Sequence, residues 1–189
     1  MYQMKKMICC LLAGWMLLSM AGIALAEEKN DSVFESFLLK KGVLISKEFI
    51  DVGTLKTKSS SGFDYPITIQ IATLTDAQTG ERYQCLRLSF ETWNGRDIVE
   101  TAVTLDADEV DSAVAAFEYM QNQLDQKNLK NYTELVFATN SEAIFTLTYS
   151  GSNDVDFVIQ NSDGIQFFSI SAISEIAKGL TAARTKLAQ

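Results

Sequence analysis

The chain has 189 residues, of which 47% are hydrophobic, with 16 Lys and Arg, 24 Asp and Glu, one Pro, three Cys and no His. That apolar fraction is typical of globular domains, so a wholly disordered chain is excluded. Without histidine there is no Ser-His-Asp or Cys-His catalytic unit, no imidazole base and no His-containing zinc site.

The N-terminal segment has the pattern of an export signal. Lys5 and Lys6 precede an apolar run over residues 7–25, which closes on Ala24-Leu25-Ala26. A positive start, an apolar stretch and small residues at its end predict that residues 1–26 are a cleaved signal peptide. The run approaches the length of a membrane span, so a retained anchor is the alternative, which the Ala-x-Ala site disfavours. We therefore expect an exported protein, periplasmic or extracellular.

Cleavage would leave an acidic chain of single-domain size. It would have 163 residues, with 14 basic and 24 acidic side chains and a net charge of −10. Such a charge repels phosphate backbones and anionic lipid, so neither nucleic acid nor membrane is an expected partner. Cys9 and Cys10 would leave with the signal, so Cys85 could form no intramolecular disulfide. Its strand-like context predicts a buried, unreactive thiol.

The first half of the chain predicts an arm and then four strands. Residues 27–41 form the arm, in which 32–39 are either a short docking helix or an extended segment. Alternating apolar residues predict strands over 43–52, 67–71, 86–90 and 98–105. Asn94-Gly95 is the strongest short hairpin signal in the chain.

A helix with a strongly marked start follows these strands. Asp106 is its predicted N-cap, Glu109 completes a capping box, and Leu105 can pack on Val110 as a hydrophobic staple. An apolar stripe at helical spacing then predicts the buried face: Val110, Ala113, Val114, Phe117, Met120 and Leu124.

The second half repeats this plan. Strands are predicted over 132–139, 143–149, 155–160 and 165–168, before a closing helix. The apolar stripe of that helix lies 63 residues after the first one: Ile173, Ile176, Ala177, Leu180, Ala183 and Leu187. The register predicts one α+β domain over 42–189, made of two tandem ββββα repeats, 42–127 and 130–189. Phe117 and Leu180 occupy equivalent, buried positions in this interpretation.

Four antiparallel strands followed by a helix, given twice, resemble the whirly-like superfamily of single-stranded-DNA-binding proteins. The segments Thr104-Leu-Asp-Ala-Asp-Glu-Val and Asn131-Tyr-Thr-Glu-Leu-Val-Phe are also similar to secreted bacterial proteins of unknown function. The resemblance implies two packed antiparallel sheets with helices at the ends. Nucleic-acid binding is not carried over, because one fold hosts many functions and this chain is acidic and has an export signal.

Two groups of acids are candidates for cation binding. The cluster formed by Asp106, Asp108, Glu109 and Asp111 lacks the glycine and the terminal glutamate of an EF-hand, and helix capping explains it better. Asn153, Asp154 and Asp156 are typical of a solvated turn. No Gly-rich phosphate loop or Cys-x-x-Cys pair occurs, so no metal or cofactor is predicted.

The loop over residues 56–65 holds the remaining candidates. Its serines lack a nucleophile context and indicate a flexible hairpin loop. Phe63 and Tyr65 on this loop, with Trp93 at the next hairpin, form a possible recognition surface, although Trp93 could equally pack over a sheet edge.

These observations predict a secreted or periplasmic non-catalytic binding module. Its partner would be a protein or a second copy of the chain, bound through an exposed sheet or edge. The alternative is a carboxylate-dependent hydrolase that acts on envelope glycans. A cleft with two facing carboxylates would favour that enzyme.

Overall fold

The computed structural model describes residues 32–126, 129, 131–151 and 154–187. All of them belong to one compact unit, Asp31–Gln189. The predicted signal peptide lies outside the described residues. No helix within the described ranges is long and apolar enough to cross a membrane.

The described residues form three helices and eight strands, which confirms the mixed α+β class. In chain order they are α1 (Val33–Leu38), β1 (Ile45–Leu55), β2 (Ile67–Asp76), β3 (Arg82–Trp93), β4 (Ile98–Asp106), α2 (Val110–Asp125), β5 (Thr133–Ala138), β6 (Ile144–Tyr149), β7 (Val155–Asn161), β8 (Gly164–Phe168) and α3 (Ser171–Leu187). A short helix and an extended segment were the alternatives for residues 32–39, and the structure has the helix α1 there.

The strands pair as two antiparallel meanders. In the first meander β1 pairs with β2, β2 with β3 and β3 with β4. In the second, β5 pairs with β6, β6 with β7 and β7 with β8. The predicted hairpin at Asn94-Gly95 is confirmed, since the Asn94 side-chain oxygen accepts hydrogen bonds from the backbone amides of Arg96 and Asp97.

Two separate sheets were expected, but hydrogen bonds connect all eight strands in one sheet of order β1-β2-β3-β8-β7-β6-β5, with β4 paired to β3. The connection is a single pair, Trp93 with Ile165. It forms because β2 accompanies β3 only as far as Ser89. The last residues of β3 therefore have a free edge, and β8 pairs there.

Helices α2 and α3 cover the inner side of the sheet and pack against each other. Phe117 of α2 packs edge-to-face on Phe145 and Phe157 of the second meander, with ring centroids 5.2 and 6.0 Å apart. Gly179 of α3 faces Ile69 and Leu55 of the first meander so closely that an added Cβ would lie 2.4 and 2.8 Å from their side chains. Each helix thus contacts the meander of the other half.

Burial of the two helical stripes follows the prediction. Phe117 and Leu180 are both fully buried. Their neighbours at helical spacing, Val110 and Ile173 among them, are buried too, while Leu124 and Leu187 are partly buried against the core. This burial is what the 3.6-residue period of the apolar positions requires.

The prediction that Asp106 is the N-cap of α2 is wrong. Glu109 occupies the cap position of α2 without a side-chain cap bond, although its carboxylate accepts the Asp106 amide at 2.9 Å as a capping box requires. The Asp106 carboxylate instead accepts from Ser32 Oγ at 3.1 Å and from the Val33 and Phe34 amides at 2.8 and 3.3 Å. It caps α1, because folding brings those free amides to it.

Helix α1 lies on the outer side of the first meander. Phe37 is buried and stacks on Tyr83, with ring centroids 6.3 Å apart. Cys85 lies on the same side and is a free, buried thiol, as expected. Burial, followed by the nearby Asp106 charge, raises the pKa of the Cys85 thiol to about 12.

Candidate functional site

Strand β8 is apolar on both of its sides. Phe168 points into the core and is buried, whereas Ile165 and Phe167 alternate with it and are exposed. A strand with only one buried side would carry polar residues at those positions. Ile165 and Phe167 therefore belong to a second apolar surface, on the side of the sheet opposite to α2 and α3.

The strand register extends this surface across six strands. Directly paired residues lie on the same side of an antiparallel sheet. Ile98 pairs with Trp93, Trp93 with Ile165, and Ile165 with Gln160, and this row continues through Ile144 to Ala138. A parallel row runs from Phe167 through Val158 and Thr146 to Val136. The two rows hold ten residues without a single charge.

We call the large apolar members of these rows the outer apolar face. Trp93 is 54% exposed and Ile98 64% exposed, which is unusual for such residues at the middle and edge of one sheet. Among the described residues, no helix or loop buries them. The outer apolar face comprises Trp93, Ile98, Val136, Ile144, Val158, Ile165 and Phe167.

The three predicted recognition residues lie in different environments. Trp93 lies in the longer row of the outer apolar face, between Ile98 and Ile165, rather than over an edge. Phe63 is 74% exposed at the tip of its loop. Tyr65 is half-buried and packs edge-to-face on Phe168, with ring centroids 5.9 Å apart. Burial, together with the charge of Glu91, raises the pKa of the Tyr65 hydroxyl, so Tyr65 is a packing residue first.

The loop over residues 56–65, predicted as a flexible hairpin loop, forms a small hairpin with backbone hydrogen bonds between its two sides. Lys58 forms a β-bridge with Asp64, and the Ser59 amide donates to the Phe63 carbonyl at 2.8 Å. The hairpin also pairs with β8, since the Ser60 amide donates to the Phe167 carbonyl at 3.2 Å. The hairpin can pair there because β3 pairs with β8 only at Ile165, which leaves the edge of β8 free at Phe167 and Phe168.

The acids around the start of α2 do not converge on a common point. Asp106 caps α1, and Asp111 lies 3.1 Å from Arg184. Glu109 Oε1 accepts the Asn140 amide at 2.6 Å and so joins α2 to the β5–β6 turn. Burial raises the pKa of Glu109, and the amides of Asn140 and Asp106 oppose that rise.

The acids after β6 also give no cation site in the described residues. Asp154 and Asp156 are both exposed, and the Asp154 carbonyl accepts the Ser150 amide in a turn. Asn153 lies outside the described residues. No group of three or more Cys, Asp and Glu side chains in the described ranges is arranged to hold a metal ion.

Glu91 and Glu100 are a pair of acids that face each other directly. They are opposite residues of β3 and β4, on the same side as Trp93 and Ile98. Both are exposed, and Arg87 Nη2 lies 3.8 Å from Glu100. Both acids also line a cavity of about 300 Å³, together with Asp64 and Tyr65, so this pair is where the hydrolase alternative would place its two carboxyl groups.

Trp93 was identifiable as a candidate from the sequence, but most of the outer apolar face was not. The sequence pattern predicts strands at these positions but not the side of the sheet that each side chain occupies: Ile98, Val136, Ile165 and Phe167. The uninterrupted apolar run Phe157-Val158-Ile159 and the pair Ile165 and Phe167 next to Phe168 were the available signal, since such runs indicate apolar residues on both sides.

Comparison with known proteins adds no relative. A scan against protein-family models, a search of curated proteins and a search of solved structures each found no match to this chain.

Proposed function

We propose that this protein is an exported, non-catalytic binding module that binds a protein partner through the outer apolar face. One observation carries the proposal: Trp93, Ile98 and Ile165 form an exposed, uncharged row across three paired strands. A contiguous exposed apolar patch marks an interaction site in proteins, and aromatic residues are enriched at such sites. The export signal and the net charge of −10 predicted for the processed chain support a partner other than nucleic acid or membrane.

We also propose, for the fold, that the two ββββα units are a tandem repeat on the whirly-like plan. The element order and the 63-residue offset between the buried residues Phe117 and Leu180 support this repeat. Each helix contacts the meander of the other half, as a pseudo-symmetric pair would.

Site-specific photo-crosslinking in the producing cell tests the function. A photo-reactive phenylalanine analogue replaces Phe167 on the outer apolar face or, as the control, Tyr119. The two side chains are 47% and 55% exposed, and Tyr119 lies on α2, away from this face. We expect intermolecular adducts from position 167 only, and their loss when Ile98→Lys introduces a charge into the face.

The pattern of adducts decides the proposal. Adducts of equal yield at positions 167 and 119, or none at position 167, would contradict it. The hydrolase alternative predicts a different dependence: Glu91→Gln with Glu100→Gln would abolish a glycan-cleaving activity. Under the binding proposal those two changes leave the position-167 adducts in place.

A further inference from the structure

The residues that border the outer apolar face indicate the chemistry of the partner, and this inference rests on the proposed function. Glu91 precedes Trp93 by two residues and Glu100 follows Ile98 by two, so both acids lie on the same side as that row. On the other border, the next paired row runs Glu134, Thr148, Asp156. All four acids are exposed.

Nearby basic side chains neutralise only part of the negative charge of this border. Arg87 lies 3.8 Å from Glu100, and Arg96 in the β3–β4 turn lies 3.8 Å from Asp97. Lys58 stands at the end of the row of Glu134 and Asp156, where its carbonyl accepts the Ser169 amide at 2.8 Å, and Asp64 is its β-bridge partner within the 56–65 hairpin. An uncharged apolar centre is therefore bordered by net negative charge.

A second copy of this chain fits the face poorly. Two copies related by a two-fold axis would bring the same patch, with the same acids, together. Like charges placed against each other across an interface are unfavourable and select against that partner. The ten positions also form a strip about 24 Å long and two rows wide, given the strand and residue spacings, which suits one helix or one strand rather than a second domain.

We infer that the outer apolar face binds a single amphipathic segment of another protein, whose apolar side chains are bordered by lysine or arginine. The size of the face matches one segment rather than a whole domain. The apolar side chains of the segment would cover Trp93, Ile165 and Phe167, and its basic side chains would lie near Glu134 and Asp156. Hydrophobic burial supplies the affinity, and the charged border supplies orientation and selectivity.

Trp93 provides the signal for a direct test. The chain has two tryptophans, and Trp15 lies in the predicted signal peptide, so Trp93 is the sole reporter in the exported, processed chain. The probes are two 15-residue peptides without tryptophan that share one leucine stripe, bordered by lysine in one and by glutamate in the other. Binding is followed by the blue shift of Trp93 emission, at low salt and at 0.5 M salt.

We expect the lysine peptide to bind about tenfold more tightly than the glutamate peptide at low salt. The preference should shrink at 0.5 M salt, because screening acts within a few ångströms there. Glu134→Lys together with Asp156→Lys should abolish or reverse the preference. Glu118→Lys together with Asp125→Lys, the same double charge reversal at exposed positions of α2, should leave the preference in place.

Other results would overturn the inference in distinguishable ways. Equal binding of both peptides, or binding of neither, would refute a basic amphipathic partner, while position-167 adducts to another protein would keep the proposed function intact. Concentration-dependent dimerisation of the chain alone, abolished by Ile98→Lys, would assign the face to a second copy. Absence of both peptide binding and position-167 adducts would remove the inference and the proposed function together.

Discussion

The Asp106 carboxylate accepts hydrogen bonds from groups that precede it by 72 to 74 positions in the chain. Asp106 is 1% exposed, and Ser32, one of its donors, is fully buried. Free amides at a helix start and a buried carboxylate satisfy each other, and neither would be tolerated alone. At the residue scale, Asp106 thus attaches α1 to the sheet.

Asp106→Asn tests this attachment. The amide keeps the shape of the side chain, but its NH₂ group would face donors, so at least one of the three hydrogen bonds is lost. We expect the free energy of unfolding in urea to fall by about 1–3 kcal/mol, the cost of leaving a buried donor unsatisfied. Asp108→Asn, at an exposed position two residues later, should change it by less than about 0.5 kcal/mol. Equal effects would show that the carboxylate of Asp106 does not hold α1.

At the scale of helices and strands, the junction of the two meanders depends on where β3 ends and where β8 begins. Gly164 begins β8 beside the backbone of β3, where an added Cβ would lie 2.8 Å from the Trp93 carbonyl oxygen and 3.2 Å from Thr92 Oγ1. Asn161 reinforces the junction, since its side-chain amide donates to Thr101 Oγ1 at 2.7 Å. Only glycine fits between these strands without a backbone shift.

Gly164→Ala should therefore separate β8 from β3. We expect the unfolding free energy to drop by about 1–3 kcal/mol, as in other overpacked sites. The matched control is Gly53→Ala in β1, where no atom lies within 4 Å of the added Cβ and the backbone is not in the left-handed region. That control should be neutral or slightly stabilising, because alanine restricts the unfolded chain. A Gly164→Ala protein as stable as Gly53→Ala would contradict the close approach.

Strand and helix positions were predictable because each depends on local sequence. Asn94-Gly95 indicates a hairpin by its residue types, and the stripe through Phe117 indicates a helix by its spacing. The junction at Trp93 and Ile165 was not, since it pairs strands that are distant in sequence and arises from unequal strand lengths. The same limit applies to the candidate site. Trp93 was identifiable from its residue type, but its row with Ile98 and Ile165 exists only once register and pairing are known.

At the scale of the whole molecule, the two halves share one core, because α2 packs on the second meander and α3 on the first. Neither meander can bury its inner side without the helix of the other half. A domain whose halves depend on each other in this way should unfold in one cooperative step. Trp93, at the junction, reports on that step by fluorescence, and far-UV circular dichroism reports on all the helices and strands.

Phe117→Ala and Leu180→Ala test this shared core from its two sides. Both side chains are fully buried, so each truncation should cost about 2–5 kcal/mol of unfolding free energy. Gln121→Ala, off the apolar stripe, should change little, because that side chain only donates a hydrogen bond to exposed Asp125 on its own helix. In each core variant the fluorescence and circular dichroism transitions should shift together. If Leu180→Ala unfolded the first meander while the second stayed folded, the halves would be independent, and the tandem-repeat interpretation with cross-packed helices would fail.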